Sequence, residues 1–378
     1  MRKRICFVVA VPITALAFLS DHISELSKEY DIFLMGNIKN GQEISTLPLK
    51  GWHHIDIERS ISLGRDFQAI WQAWRYFQKM KFDAIHSVTP KAGLVSALAG
   101  KLAGINHRTH IFTGQVWATE KGIMRYLLKA IDKIIVLCDN HILVDGKSQR
   151  AFLIKEGIIH EGQAEVFGKG SISGVNSIRF KPNFEDRILI RKSIGIQDNV
   201  MTFIFLGRLN HDKGIGELFD AFNSLVSEVD NTFLLVVGRD EEGYINTLPK
   251  YKNIIKGKNF HYYGSTNEPE KVLNAGDVFV LPTYREGFGS SVLEAACIGL
   301  PSICSDAYGV QDAFIENETG IKCHVGDAKS LHKCMKYMYE HPEEAKRMGN
   351  NSRKRALSDF NGSVLTQYWK EFYKGLLS

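Results

Sequence analysis

The chain has 378 residues, 44% of them hydrophobic and 24% charged, with 33 glycines and 9 prolines; this excludes disordered, collagen-like and disulfide-stapled chains, and the length suits two domains. The formal charge of +5 is unevenly spread: residues 1–180 hold 23 basic and 16 acidic side chains (+7), and the remainder 24 and 26 (−2). Anionic surfaces or substrates are therefore expected to meet the first half, and neither half is basic enough for nucleic acid.

Arg2, Lys3 and Arg4 precede a mostly apolar run over 5–19, a pattern shared with secretory signals. Here 5–10 reads as a short buried strand, Pro12 interrupts the run, and Leu16, Leu19, Ile23 and Leu26 recur at helical spacing. Strand-loop-helix is expected instead. Further strands are predicted at 31–35, 54–57, 83–86, 108–112 and 133–137. Helices are predicted between them, one with Phe67, Ile70, Trp71 and Trp74 on one side, others at 91–102 and 121–131.

A polar, proline-containing break at 180–183 opens a second series. Its strands are predicted at 201–206, 232–237, 259–263, 277–281 and 301–305, with helices at 212–229 and 290–298. Alternation of this kind predicts parallel sheets covered on both faces. The fold class is α/β: two Rossmann-like doubly wound parallel-sheet domains, residues 1–180 and 181–361, facing a central cleft where strand carboxyl ends converge. Residues 362–378 carry Val364, Leu365, Tyr368, Trp369, Phe372 and Leu376 on one side, a helix expected to pack back on the first domain. No uninterrupted apolar stretch of about 18 residues predicts a membrane span. The six cysteines include no CxxC pair, which points to free thiols in a reducing cytosol and to no metal site.

Two motifs carry chemistry. In the first, the apolar run 278–281 leads into Tyr284, Arg285, Glu286, Gly287, Phe288, Gly289, Ser290 and Ser291, with Glu294 a turn into the helix that follows. Gly287 and Gly289 permit close backbone approach to a ligand, Ser290 or Ser291 can cap the helix, and the helix amino end favours a phosphate. Glu286 is expected at the mouth, and Glu294 near enough to grip a sugar hydroxyl. In the second, Gly207, Arg208 and Leu209 are followed by Asp212, Lys213 and Gly214, again after a strand; a planar cation and a flexible one suit a diphosphate.

These motifs resemble those of the retaining family-four (group one) glycosyltransferases of the GT-B fold. The resemblance extends over nearly the whole chain, through Val237-Gly238, Tyr263-Gly264, Gly299-Leu300-Pro301, Glu318-Thr319-Gly320, His86-Ser87 with Pro90 to Gly93, and Gly174-Val175-Asn176. It implies that Arg208 and Lys213 hold the donor diphosphate, that Glu294 takes the ribose hydroxyls, and that Glu286 contacts the donor sugar. Gly207, Gly238, Tyr263, Gly287 and the backbone over Phe288, Gly289, Ser290 and Ser291 complete the donor site. Arg208, Lys213 and Glu286 form the implied catalytic set, with no metal and no cofactor, the nucleotide sugar being a co-substrate.

Two departures reshape the acceptor side. The His-Gly pair of many relatives is Thr113-Gly114 here, with His110 three residues earlier, and the glycine pair after the first strand is replaced by Val11, Pro12, Ile13 and Thr14. Pro12, Thr14, His86, Thr113 and Gly114 are the candidate acceptor contacts. Lys121, Arg125, Lys129 and Lys133 recur every four residues, with Ile123, Met124, Leu127, Leu128 and Ile131 available opposite; this stripe is expected to face anionic lipid head groups or an acceptor pyrophosphate.

The expected activity is retaining, metal-independent hexosyl transfer from a UDP-hexose or UDP-N-acetylhexosamine to a sugar or lipid-linked saccharide in surface polysaccharide synthesis. The expected location is cytoplasmic, peripheral on the inner face of the plasma membrane. Rival readings are a nucleotide-sugar epimerase of the same two-lobed fold and a non-catalytic sugar-nucleotide binding protein. A dinucleotide oxidoreductase needs GxGxxG after the first strand, and 9–14 contains no glycine.

Overall fold

The computed structural model describes residues 2–57, 62–245 and 247–378, apart from the Leu63 side chain. The chain forms two units, Met1–Ser173 with Gly362–Ser378, and Gly174–Asn361. The boundary thus falls before residue 180. Val175 bridges Asn361 and its N–H donates to the Phe360 carbonyl at 2.7 Å, while Phe180 is buried in the second unit's core, so 174–180 belong to that unit.

In the first unit, strands β1 (Arg4–Val9), β2 (Asp31–Gly36), β3 (Gly51–His54), β4 (Ala84–Val88), β5 (His107–Phe112), β6 (His141–Val144) and β7 (Ala164–Glu165) form one sheet in the order β3-β2-β1-β4-β5-β6-β7. Every pairing is parallel. In the second, β8 (Met201–Leu206), β9 (Thr232–Val237), β10 (Phe260–Gly264), β11 (Val278–Leu281), β12 (Ser302–Ser305) and β13 (Gly320–Cys323) run β10-β9-β8-β11-β12-β13, also parallel. Central strands such as β9 and β11 are buried along their whole length, as sheets covered on both faces require.

Three predicted elements differ. The strand expected at 54–57 is β3, ending at His54. The opening helix is two, Pro12–Phe18 and Ser20–Leu26, broken at Leu19. The run 133–137 is not a strand but the end of the helix Gly122–Cys138, and the strand follows as β6. A short apolar run is compatible with either element; what decides here is that Ile131, Ile135 and Cys138 pack at helical spacing against Ala97.

The last helix, Gly362–Leu377, belongs to the first unit. Leu365, Trp369 and Tyr373 are fully buried among Phe7, Ile5, Leu34 and Ile172. Trp369 donates from Nε1 to the Ile172 carbonyl at 3.0 Å and stacks on His22 and His86 at 5.0 and 4.9 Å between ring centres. Trp369→Ala removes both the ring and the bond, and is expected to cost ~3–5 kcal/mol of first-unit stability, read from urea unfolding; a change below ~1 kcal/mol would contradict this packing.

Candidate active site

Strands β9, β8 and β11 are neighbours, so the segments leaving their carboxyl ends lie side by side. The segment after β8 passes Gly207 and Arg208, makes the single turn His211–Lys213 and reaches Gly214 at φ 68°. A β-carbon at Gly214 would stand 2.0 Å from the Pro282 carbonyl oxygen, which fixes glycine where the β8 and β11 loops touch. The loops are then bonded together. The Tyr284 N–H and the Thr283 hydroxyl both donate to the Asp212 carbonyl, at 2.8 and 2.9 Å, and Arg285 pairs with the Asp212 carboxylate at 2.5 Å. Tyr284 stacks on His211 at 4.6 Å and donates to Glu217 at 2.7 Å. Within this frame Lys213 forms a mostly buried ion pair with Glu286.

The helix Ser290–Ile298 starts from Gly289, whose φ of 89° is left-handed, and no side chain caps it. Ser290 and Ser291, candidate caps in the sequence, are its first helical residues instead. Gly289 takes the cap position because an L-residue is strained there, and the leading N–H groups remain available to an anion. Gly287 lies just ahead, and Glu286 is closely approached: a β-carbon on Gly309 would meet the Glu286 carbonyl oxygen at 2.3 Å. The Phe288 ring packs in the core against Phe360 at 5.3 Å, leaving only its backbone to line a site. Glu294 is half-buried one turn into the helix. Burial raises its carboxyl to about 7, against the opposing pull of Arg179.

Arg208 points to Glu241, 2.9 Å away, and its side chain is 52% exposed. Glu241 also accepts from Asn210 Nδ2 at 3.0 Å. Glu241 was not legible as a site residue, since a lone glutamate in a polar run carries no signal; only the Leu209–Asp240 bridge between the segments after β8 and β9 brings it to Arg208. Gly238 has φ 139°, and a β-carbon there would stand 1.8 Å from the Gly207 carbonyl oxygen, so these strand ends pass in contact. Of the tyrosines on edge strand β10, Tyr262 rather than Tyr263 reaches this point, donating to the Gly238 carbonyl at 2.9 Å.

In the first unit, Pro12 and the buried Thr14 follow β1, and Thr113 and Gly114 follow β5, so both pairs lie at the carboxyl edge of the sheet. His86 does not join them. It lies within β4, fully buried, with Nδ1 2.8 Å from the Tyr373 hydroxyl and its ring between Phe7 and Trp369. Burial, reinforced by nearby histidines, lowers it to about 3, so it is a neutral core residue and not an acceptor contact. His110 is equally buried, 2.8 Å from the Ser87 hydroxyl.

The basic stripe is split, Lys121 and Lys133 staying exposed while its middle does not. Arg125 and Lys129 turn inward, both 2.8 Å from Glu156 and both over the Trp117 ring, and Arg125 also donates to the Trp117 carbonyl at 2.8 Å. Ile123, Tyr126, Leu127, Ile134 and Leu137 are exposed instead. Spacing alone did not say which side of the helix meets the sheet; the half-buried Glu156 and the buried Trp117 decided it.

A doubly wound sheet in each unit, with cations, a carboxylate and an open helix amino end at neighbouring strand ends of the second, is the arrangement of a GT-B glycosyltransferase. Residues 186–355, most of the second unit, match the family described as glycosyl transferases group 1. The chain is 27% identical over 350 residues to the capsular polysaccharide biosynthesis glycosyltransferase CapM of Staphylococcus aureus, covering 93% of this chain and 91% of that one. It is 26% identical over 266 residues to the UDP-Gal:alpha-D-GlcNAc-diphosphoundecaprenol alpha-1,3-galactosyltransferase of Escherichia coli, covering 69% and 67%. The structure of Anabaena Alr3699/HepE in complex with UDP shares the fold, with a TM-score of 0.78 at 16% identity over 99% of this chain and 100% of that one. The protein is thus a glycosyltransferase with relatives in polysaccharide biosynthesis.

The raised Glu294 carboxyl has a stability signature. Between the ordinary carboxyl range near 4.5 and about 7, the folded chain holds a proton that the unfolded chain has released, so Glu294 costs increasing stability as pH rises through that window. The melting temperature of wild type is expected to fall relative to Glu294→Gln between pH 5 and pH 8. Parallel curves would show the carboxyl to be solvated.

Proposed function

We propose that the enzyme transfers a hexose or N-acetylhexosamine from its UDP-sugar to a hydroxyl of a diphosphate-polyprenyl-linked saccharide, with retention and without a metal, at the cytoplasmic face of the membrane. The observation that carries the donor half is the Lys213–Glu286 pair beside the uncapped amino end of Ser290–Ile298. The UDP named for the HepE complex and the diphosphoundecaprenol acceptor named for the Escherichia coli relative support the substrate classes.

The barrier lies in breaking the bond between the anomeric carbon and the diphosphate oxygen, which leaves positive character on the sugar ring and negative charge on phosphate. Lys213, Arg208 and the helix N–H groups stabilise that departing charge, the role a divalent ion could otherwise fill. Glu286, already beside Lys213, receives sugar hydroxyls, and Glu294, once ionised, accepts from the ribose. Among the described first-unit candidates, buried His86 and His110 offer no nucleophile or base to the acceptor. The acceptor hydroxyl therefore attacks the face from which the diphosphate leaves, and a phosphate oxygen takes its proton.

Arg208→Ala and Lys213→Ala are each expected to slow turnover at saturating UDP-sugar by about two orders of magnitude, with wild-type transfer persisting in excess EDTA and giving an α-linked product by NMR. Near-normal turnover in both variants would reject the assignment.

A further inference from the structure

The Gly174-Val175-Asn176 segment builds a turn that ends on a cation. The Asn176 side-chain oxygen accepts from the N–H groups of Ile178 and Arg179 at 3.1 and 3.0 Å, and the Asn176 carbonyl accepts from the Phe180 N–H at 2.9 Å. An asparagine suits this place because its side chain closes a turn on the backbone just ahead of it. Phe180 is buried in the second unit's core, with the Arg179 guanidinium 5.3 Å from its ring centre. Arg179 is thereby set in one place.

That place is against the short helix Pro269–Leu273. Arg179 Nε donates to Glu270 Oε2 at 2.9 Å, Nη2 lies 2.8 Å from the same oxygen, and Nη2 also donates to the Asn267 carbonyl at 2.6 Å. Residues 181–183 are bonded to the same helix. The Asn183 N–H donates to Asn274 Oδ1 at 2.7 Å, and Asn274 Nδ2 donates to the Glu270 and Lys181 carbonyls at 2.8 and 3.2 Å. Pro269–Leu273 in turn packs beside Ser290–Ile298, the helix that bears Glu294.

Arg179 and Glu270 are the charges that act on the Glu294 carboxyl, Arg179 favouring its ionised form and Glu270 opposing it. The neighbouring titratable groups are neutral or engaged elsewhere. Cys297 and Cys304 are thiols that burial pushes up to about 12. Arg353 and Arg355, from the helix Pro342–Asp359 that packs on the other side, donate to the carbonyls of Cys297 at 3.0 Å and of Ala313 and Asp312 at 2.7 Å. Lys271 pairs with Glu268 at 2.6 Å.

We propose that Arg179 is a positioning residue of the donor site: set by the Asn176 turn and pinned on Glu270, its guanidinium favours the ionised form of Glu294, the form that accepts from both ribose hydroxyls. A carboxylate only accepts, whereas a protonated carboxyl gives up one oxygen to donation. Glu294 is thus balanced between two charges of opposite sign. The inference rests on the ribose reading of Glu294 for its purpose, but the coupling of the three charges needs no ligand.

The test reads melting temperature and UDP affinity from pH 5 to pH 9. In the free protein, the cost of Glu294 is the difference in melting temperature between a background and that background with Glu294→Gln. It levels off once the folded carboxyl has ionised, near pH 7 in wild type. Arg179→Ala is expected to move this levelling point to higher pH and Glu270→Gln to lower pH, with Arg179→Lys staying near wild type. The calorimetric Kd for UDP, taken as the ratio of variant to wild type so that titration of the nucleotide cancels, should follow. At pH 6 Arg179→Ala weakens binding about three- to tenfold, as a shift of half to one pH unit gives, Glu270→Gln tightens it, and both ratios return toward one by pH 9. An unmoved levelling point in both Arg179→Ala and Glu270→Gln overturns the proposal. So does a loss of UDP affinity in Arg179→Lys as complete as in Arg179→Ala, which would make the arginine a brace. Levelling points that move while both Kd ratios stay flat across pH sink the ribose assignment of Glu294 and leave the three-charge coupling standing.

Discussion

The contact on which the proposed donor chemistry depends is the ion pair between Lys213 and Glu286, one from the loop after β8 and one from the loop after β11. Desolvating two charges costs several kcal/mol each, and their attraction repays it only when the geometry is fixed. Here it is fixed by the backbone. Tyr284 and Thr283 both donate to the Asp212 carbonyl, Arg285 pairs with Asp212, and Gly214 lets the two loops close to contact. The loop frame therefore fixes this ion pair by itself, which is what the proposed stabilisation of a departing phosphate requires. Replacing Glu286 alone would leave the ammonium partly desolvated and unpaired, so its consequences extend beyond any sugar contact.

Arg208 is built differently. Its guanidinium is half exposed and held by Glu241, which also gathers Asn210. The cation is tethered at the rim rather than locked within the frame, and in the proposed donor site a diphosphate competes with one carboxylate for a fork that can serve both. The two cations assigned alike from sequence thus differ in mobility, Lys213 fixed by the loop-to-loop frame and Arg208 by a single acidic neighbour.

Strand and helix alternation in the sequence was enough for both sheets, and the strand 232–237 and helix 290–298 fall where periodicity and turn residues put them. The donor motifs were legible because each follows a strand and carries glycine where contact demands it, at Gly214, Gly238 and Gly289. What was not legible depended on partners distant in sequence. His86 has the strand-end look of a contact residue, and only the last helix, nearly 300 positions away, makes it a core residue bonded to Tyr373. Glu241 acquires meaning from Arg208, and Tyr262 from Gly238. The end of the helix Gly122–Cys138 reads as a strand because a run of β-branched and apolar residues suits both elements.

That helix also relocates the charge of the first half. The excess of +7 over residues 1–180 suggests that anionic surfaces or substrates meet the first half, and the three helices covering one face of its sheet, Leu63–Met80, Pro90–Leu102 and Gly122–Cys138, account for +6 of it. Within them Arg125, Lys129 and Lys91 are bound to carboxylates, so the cations left outward are those that border the exposed apolar side chains. The residues after β1 and β5 are correspondingly uncharged: Pro12, Thr14, Thr113 and Gly114 can shape a pocket and offer hydroxyl or backbone bonds, but they bring no cation to a diphosphate. On the acceptor proposed above, this sheet edge therefore reads the saccharide by shape and neutral hydrogen bonds, the kind of discrimination that buried hydroxyls perform well.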